Sequence, residues 1–307
     1  MHKESLSSAL LKEIGNTPLV QLNISSVKAN VFAKLEYMNP CGSIKDRSAL
    51  FMIEQAEKEG LIRPGGTIIE ATSGNQGSAL AMLGALKGYR VIITTSARTS
   101  QEKVKTIESY GAEIYICPVV ESFDDPRSHY QKAKALNRAT PNSVFINQYR
   151  NPNNAKAHYT LTAPEIWKQT KGKLTHCVVG MGTCGTISGL SKYFKSKNPN
   201  IKMIGVDAEF SKISNNTSQE TTPCEIEGIG VDVISDFFDR SLIDEVIPMQ
   251  NEPAFEMTRK LANEGLLAGL SSGAVIQAVK QYARNLQPSD IVVTIFADSG
   301  RAYLSKI

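Results

Sequence analysis

From Gly66 to the C-terminal region, the chain alternates short runs of β-branched residues with longer segments whose apolar positions recur every three or four residues. Strand-like runs stand at "GTIIEAT", "RVIITTS", "AEIYICPV", "HCVVGMG", "IKMIGVD" and "DIVVTIFAD", and helix-like segments at "SALAMLGALKGY", "SQEKVKTIESYG" and "TISGLSKYFKSKN". A period of two fits a strand and a period of 3.6 fits a helix, so this order predicts an α/β protein with largely parallel sheets. Two βα clusters, residues 40–147 and 148–307, predict two domains, with residues 1–39 joining the second. Polar stretches at 121–131 and 214–225 predict long surface loops.

The length of 307 residues gives each domain a sizeable core. Apolar residues make up 41% and charged residues 21%, as in a soluble globular protein. The formal net charge is +4 and the basic residues are scattered, which argues against nucleic-acid and membrane-surface partners. The five cysteines include no C-x-x-C pair and have no histidine at zinc spacing, so free thiols in a reducing compartment and no metal are expected. No leader pattern or membrane-length apolar run is present, and a cytoplasmic location follows as the expectation.

Gly, Ser and Thr concentrate at three strand-to-helix junctions: "EATSGNQGS", "GMGTCGTIS" and, less clearly, "GLSSGA". Free backbone N–H groups and the positive end of the helix dipole make such a junction an anion site. An ordinary tight turn is the alternative for any one of them. Thr72, Ser73 and Asn75 add side chains suited to a carboxylate. In the second junction, Gly180, Gly182 and Gly185 spell G-x-G-x-x-G, and Asp207 follows at the end of a strand-like run. That layout admits a dinucleotide as well as a simple phosphate.

In "NPCGSIKDRSALFMIEQAEKEG", Asn-Pro and Cys-Gly mark a turn, after which Ala49, Met52, Ile53 and Ala56 form a helical apolar face. Lys45 then falls in a helix's first turn, where the dipole disfavours a cation. A lysine with a destabilised ammonium is a usable amine nucleophile for an aldehyde. The alternative is a solvated lysine paired with Asp46 or a nearby Glu.

The segments "IGNTPLVQL", "AKLEYMNPCGSIKDR", "EATSGNQGSALA", "INQYRNPNNAKAHY", "GMGTCGT", "EIEGIG" and "DSGRAYLSK" occur in order over nearly the whole chain. Together they resemble the cysteine synthase and cystathionine β-synthase family of fold-type II pyridoxal-phosphate enzymes. The resemblance implies a tryptophan synthase β-like fold with a smaller, mobile domain at 40–147 and the cofactor in the cleft between the domains. It implies that Lys45 forms the Schiff base with pyridoxal 5′-phosphate and acts as acid and base, and that Asn75 bonds the ring oxygen. Gly182, Thr183, Cys184, Gly185 and Thr186 would hold the phosphate, and Ser299 the pyridine nitrogen. Thr72, Ser73, Gly74, Gln76 and Gln148 would hold the substrate carboxylate, with Glu227 and Gly228 near the acceptor.

The implied reaction is β-replacement on serine or O-acetylserine by a sulfur nucleophile, sulfide or a thiol, giving cysteine or cystathionine. An amine nucleophile giving a diamino acid is the alternative; an NAD-dependent oxidoreductase and an inactive binding partner stand further off. A homodimer of the catalytic core alone is implied, without a haem-binding extension or regulatory module. Ser299 in place of a carboxylate makes the ring a weaker electron sink, which favours β-elimination over transamination. Asp298 is the other candidate, but strand alternation turns neighbouring side chains to opposite faces.

The chain departs from the family at Cys41 and Cys184, where glycine is usual, at Gln76, where threonine is usual, and at Val231, where animal forms carry tyrosine. If either cysteine position needs a positive φ, its Cβ has a cost. Packing, with redox or substrate-thiol chemistry as the alternative, is the role expected of both cysteines. Glu227 is either the acceptor's amine partner or an ordinary surface carboxylate.

Overall fold

The computed structural model describes residues 6–72, 74–120, 122–214, 224–231 and 233–306. Its strands are β1 (Leu19–Leu22), β2 (Asn30–Leu35), β3 (Thr67–Ala71), β4 (Arg90–Ser96), β5 (Glu113–Cys117), β6 (Ser143–Phe145), β7 (His176–Gly180), β8 (Lys202–Ala208), β9 (Glu245–Met249) and β10 (Ile291–Phe296). The α-helices are α1 (Leu6–Lys12), α2 (Lys45–Lys58), α3 (Asn75–Lys87), α4 (Gln101–Ser109), α5 (His129–Ala139), α6 (Asn153–Ala157), α7 (Ala163–Gln169), α8 (Gly185–Lys197), α9 (Asn251–Asn263) and α10 (Leu270–Tyr282). No helix among the described residues is long and apolar enough to cross a membrane.

The chain divides into two compact units, residues 1–14 with 39–154 and residues 15–38 with 155–307. The sequence groups residues 1–39 with the second cluster; residues 1–14 fall instead in the first unit, where Leu11 and Ile14 pack on its core. Residues 148–154 also fall there, and the Asn154 side-chain amide donates to the Gln148 carbonyl.

The first unit holds a parallel sheet in the order β5-β4-β3-β6. All five residues of β3 are buried, as expected of a strand covered on both faces. Ala49, Met52, Ile53 and Ala56 of α2 pack into the core with Ala79, Leu80 and Leu83 of α3. Helix α3 ends at Gly88, whose φ of 76° closes a left-handed cap. The polar stretch from 121 is not loop throughout, because the Ser128 hydroxyl accepts the Gln131 N–H and starts α5 within it. Of the stretch at 214–225, residues 215–223 lie outside the described residues.

The second unit holds a six-stranded sheet in the order β1-β2-β10-β7-β8-β9. Its pairs are parallel except β1 with β2. The apolar runs of β2, β7, β8 and β10 are buried here, and α9 and α10 pack against the sheet through Ala254, Phe255, Leu261, Ala274 and Val275.

Candidate active site

In the first unit, Lys45 is the first residue of α2 and is half-buried. Its N–H donates to the Ser43 hydroxyl at 3.2 Å, which satisfies one of the free amides of the helix start. Asp46 is buried, and its Oδ2 accepts the Cys41 N–H at 2.6 Å. The carboxylate thus fastens the turn that leads into the lysine. Cys41 has no positive φ; that conformation belongs to Gly42, at 87°. Burial, with the Asp46 charge next, pushes the Cys41 thiol up to about 12 against a hydrogen bond from Tyr110, so it is a protonated packing group.

Thr72 directly follows β3, and Asn75 starts α3. Ser73 lies outside the described residues. The Gly74 N–H donates to Thr72 Oγ1 at 3.2 Å. A Cβ at Gly74 would lie 2.5 Å from Cδ of the buried Lys103, so only glycine fits there without moving that side chain. Asn75 opens α3, half-buried. Gln76 is 1% exposed, its Oε1 faces the Ser48 hydroxyl at 3.4 Å, and its Nε2 has no hydrogen-bond partner among the described residues. A buried amide donor left without an acceptor costs about 1–3 kcal/mol, so the position fits an anionic ligand.

Gln148 is 4% exposed, and its N–H donates to Oε2 of Glu70 at 3.2 Å. Glu70 is fully buried, and its other oxygen accepts the Ala71 N–H at 2.8 Å. Burial raises the Glu70 carboxyl to about 8, against the two backbone donors and the Lys45 charge.

In the second unit, β7 ends at Gly180 and α8 begins at Gly185, with the intervening loop presented at the helix's positive end. A Cβ at Gly182 would lie 2.8 Å from the Gly228 carbonyl, so the loop and the "EIEGIG" segment approach too closely for a side chain. The Gly230 N–H donates to the Met181 carbonyl at 3.0 Å and holds the two segments together. The Ser235 hydroxyl donates to the Thr183 carbonyl at 2.8 Å, and Thr183 Oγ1 accepts the Gly185 N–H at 3.3 Å. Thr186 Oγ1 lies 3.4 Å from Nε2 of the buried His158. Cys184 takes φ 61°, so the usual glycine position does need the left-handed region, and its side chain is buried at 3% exposure.

Ser299 caps the turn at Gly300–Tyr303: its hydroxyl accepts the Arg301 N–H at 3.3 Å. Asp298 is buried and accepts the Tyr303 hydroxyl, while a Cβ at Gly269 would collide with its Oδ1. Its carboxylate is directed at Tyr303 and at the Gly269 position that precedes α10. Glu227 is half-buried and ion-paired with Lys306, Nζ to Oε1 at 2.7 Å. Gly228, beside it, has φ 99°, and a Cβ there would lie 3.4 Å from the Ser271 side chain.

The dinucleotide layout fails on Asp207. That residue is fully buried and accepts the Ala208 N–H at 2.9 Å together with the Ser211 hydroxyl, so it presents no carboxylate to a ribose. What each unit holds by itself fits pyridoxal phosphate instead: an amine at a helix start in the first, and a glycine-lined loop at the head of α8 in the second. Glu70, His158 and Ser235 escape the sequence reading, although Glu70 carries a signal there as the one charge inside the apolar run "TIIEAT".

The family model described as "Pyridoxal-phosphate dependent enzyme" matches residues 10–298. Cystathionine beta-synthase of Mus musculus is 45% identical over 307 residues, covering 97% of this chain and 54% of that protein. The chain therefore spans about half the length of that relative. Cysteine synthase of Staphylococcus aureus strain N315 is 40% identical over 296 residues, covering 95% of this chain and 94% of that protein. The crystal structure of O-acetylserine dependent cystathionine beta-synthase from Helicobacter pylori superposes with a TM-score of 0.90 at 36% identity, covering 97% of each chain.

Proposed function

Because the chain belongs to the family of pyridoxal-phosphate-dependent enzymes, we propose that it catalyses β-replacement on serine or O-acetylserine with a sulfur nucleophile, giving cysteine or cystathionine. The observation that carries this is Lys45 at the head of α2, in the same unit as the buried, acceptor-less amide of Gln76. The cofactor, when bound, supplies an electron sink for the charge that develops at the substrate α-carbon. In this proposal the Lys45 amine anchors the cofactor aldehyde and then removes the α-proton.

Thr72, Ser73, Gly74, Gln76 and Gln148 orient the substrate carboxylate, and Asn75 bonds the cofactor ring oxygen. The N–H groups of 182–186 hold the phosphate, the geometry that a helix start provides. Ser299 serves the pyridine nitrogen; the commitment of Asp298 to Tyr303 supports the serine over its neighbour. A neutral hydroxyl there leaves that nitrogen unprotonated and favours departure of the β-substituent.

The similarity to both cysteine synthases and cystathionine β-synthases supports either sulfide or a thiol as acceptor. The five free thiols support a cytoplasmic location, and family resemblance supports a homodimer. The test is to load the protein with pyridoxal phosphate, add serine or O-acetylserine, and record the visible spectrum before offering sulfide, homocysteine or an amine. A donor-dependent spectral change followed by a sulfur-containing product, identified by mass spectrometry, is expected. Turnover only with an amine would replace the sulfur assignment, and a colourless protein that turns over no donor would end the proposal.

A further inference from the structure

The β3–β6 pairing ends where the candidate carboxylate site begins. The last backbone bond between them runs from the Ile146 N–H to the Ile69 carbonyl at 3.0 Å. Asn147 then takes φ 55° and turns the chain out of the ladder. On the other strand, the Thr72 N–H bonds β4 through the Thr94 carbonyl, so by strand alternation the Ala71 N–H faces the side that β6 has left. Two backbone donors, those of Ala71 and Gln148, are therefore without a ladder partner in a buried region. Glu70 supplies both acceptors, Oε1 to Ala71 at 2.8 Å and Oε2 to Gln148 at 3.2 Å.

Two donors facing one side chain require a group with two acceptor oxygens. A carboxylate meets this and an amide does not, because its NH2 would oppose one of the N–H groups. This accounts for a charge in the interior strand of the sheet, where β3 is otherwise Thr, Ile and Ala and every residue is buried. We infer that Glu70 is a positioning residue that holds the Gln148 segment at a fixed spacing from Thr72, Gly74 and Gln76, so that both grip one substrate carboxylate. The inference rests on the proposed assignment of those two segments to substrate binding. Glu70 acts through their backbones and touches no reacting atom.

The test is Glu70→Gln in the pyridoxal-phosphate-loaded full chain, assayed above pH 8, where burial no longer holds the wild-type carboxyl protonated. The substitution keeps the volume and removes one of the two acceptors. A KM for the donor amino acid raised about tenfold is expected, with kcat within about twofold, as follows from one lost ground-state grip. The visible band of the lysine-bound cofactor should not move. An unchanged KM, or a loss confined to kcat, overturns the inference.

If the variant does not fold, hydrogen exchange on the wild-type holoenzyme reads the tie directly. Strong protection of the Gln148 amide is expected, and exchange at the rate of an open loop overturns it. Failure of the underlying proposal looks different: wild type would show no lysine-bound cofactor band, or Lys45→Ala would retain it.

Discussion

Lys306 Nζ donates to Oε1 of Glu227 at 2.7 Å, which joins the C-terminal segment to the loop that packs on the glycines after β7. Both side chains are partly exposed, so the pair contributes little to stability, about 0–1 kcal/mol. If Glu227 serves the acceptor as the family resemblance implies, its carboxylate would receive the amino group of an amino-acid acceptor. Glu227→Gln should raise KM about fivefold for an amino-acid thiol acceptor, a loss of about 1 kcal/mol, and leave the KM for sulfide unchanged. Steady-state kinetics with both acceptors check this; equal KM values in variant and wild type for the thiol would remove Glu227 from acceptor binding.

Lys45 is the first helical residue of α2 and only half-buried, so its replacement leaves the helix intact. Lys45→Ala should lose the visible band of the lysine-bound cofactor and at least about 1000-fold in kcat, the scale expected for removing an acid–base group together with the covalent anchor. Thermal unfolding of the cofactor-free variant should match wild type. Retained turnover would exclude Lys45 as the anchor.

Cys184 sits at φ 61°, where a Cβ costs roughly 1–2 kcal/mol. Glycine removes that cost but gives back about 0.4–1 kcal/mol through the freer unfolded chain, and it also forfeits the buried sulfur. Cys184→Gly should therefore lie within about 1 kcal/mol of wild type, since the two effects oppose each other. Cys184→Val puts a β-branched residue in the left-handed region and should lose about 2 kcal/mol or more. Denaturant unfolding of the three proteins decides it, and a fully tolerated valine would show that the loop moves out of that conformation.

Cys41 is held protonated by burial and by the Asp46 charge, its thiol pushed up to about 12. Burial also raises the thiol of Cys177. A raised thiol stays neutral until the pH nears its new value, so at pH 8 the Cys41 thiolate is on the order of one part in ten thousand. Iodoacetamide needs the thiolate. At that pH the exposed Cys224 should be alkylated first and Cys41 and Cys177 last, as peptide mass spectrometry would record. Early labelling of Cys41 would contradict its packing role.

No run in the sequence marked β6, β9, α5 or α9, but strands β3, β4, β5, β7, β8 and β10, helices α2, α3, α4 and α8, the largely parallel pairing and the place of Lys45 at a helix start were legible there. Each depends on residues within one or two turns of each other, and backbone periodicity is local. The glycine loop at a strand-to-helix junction was legible for the same reason, though the G-x-G-x-x-G spacing alone left open which anion such a junction suits. The first helix was harder to assign. Nothing in the N-terminal segment says that Leu11 and Ile14 pack on the core formed by α2 and α3.

What only the tertiary structure decided is how polar side chains are matched to partners far along the chain. Asp207 loses its apparent ribose role because the fold encloses it and gives it Ser211. Of the two cysteines at usual glycine positions, only Cys184 occupies the left-handed region, and backbone geometry rather than residue type made that distinction. Glu70 meets Gln148 across 78 positions, and Lys306 meets Glu227 across 79. The sequence marks such residues as charged and displays the strand or loop that carries them. A buried carboxylate must still find its donors somewhere, and which donors those are depends on where two distant segments part, as β3 and β6 do after Ile69.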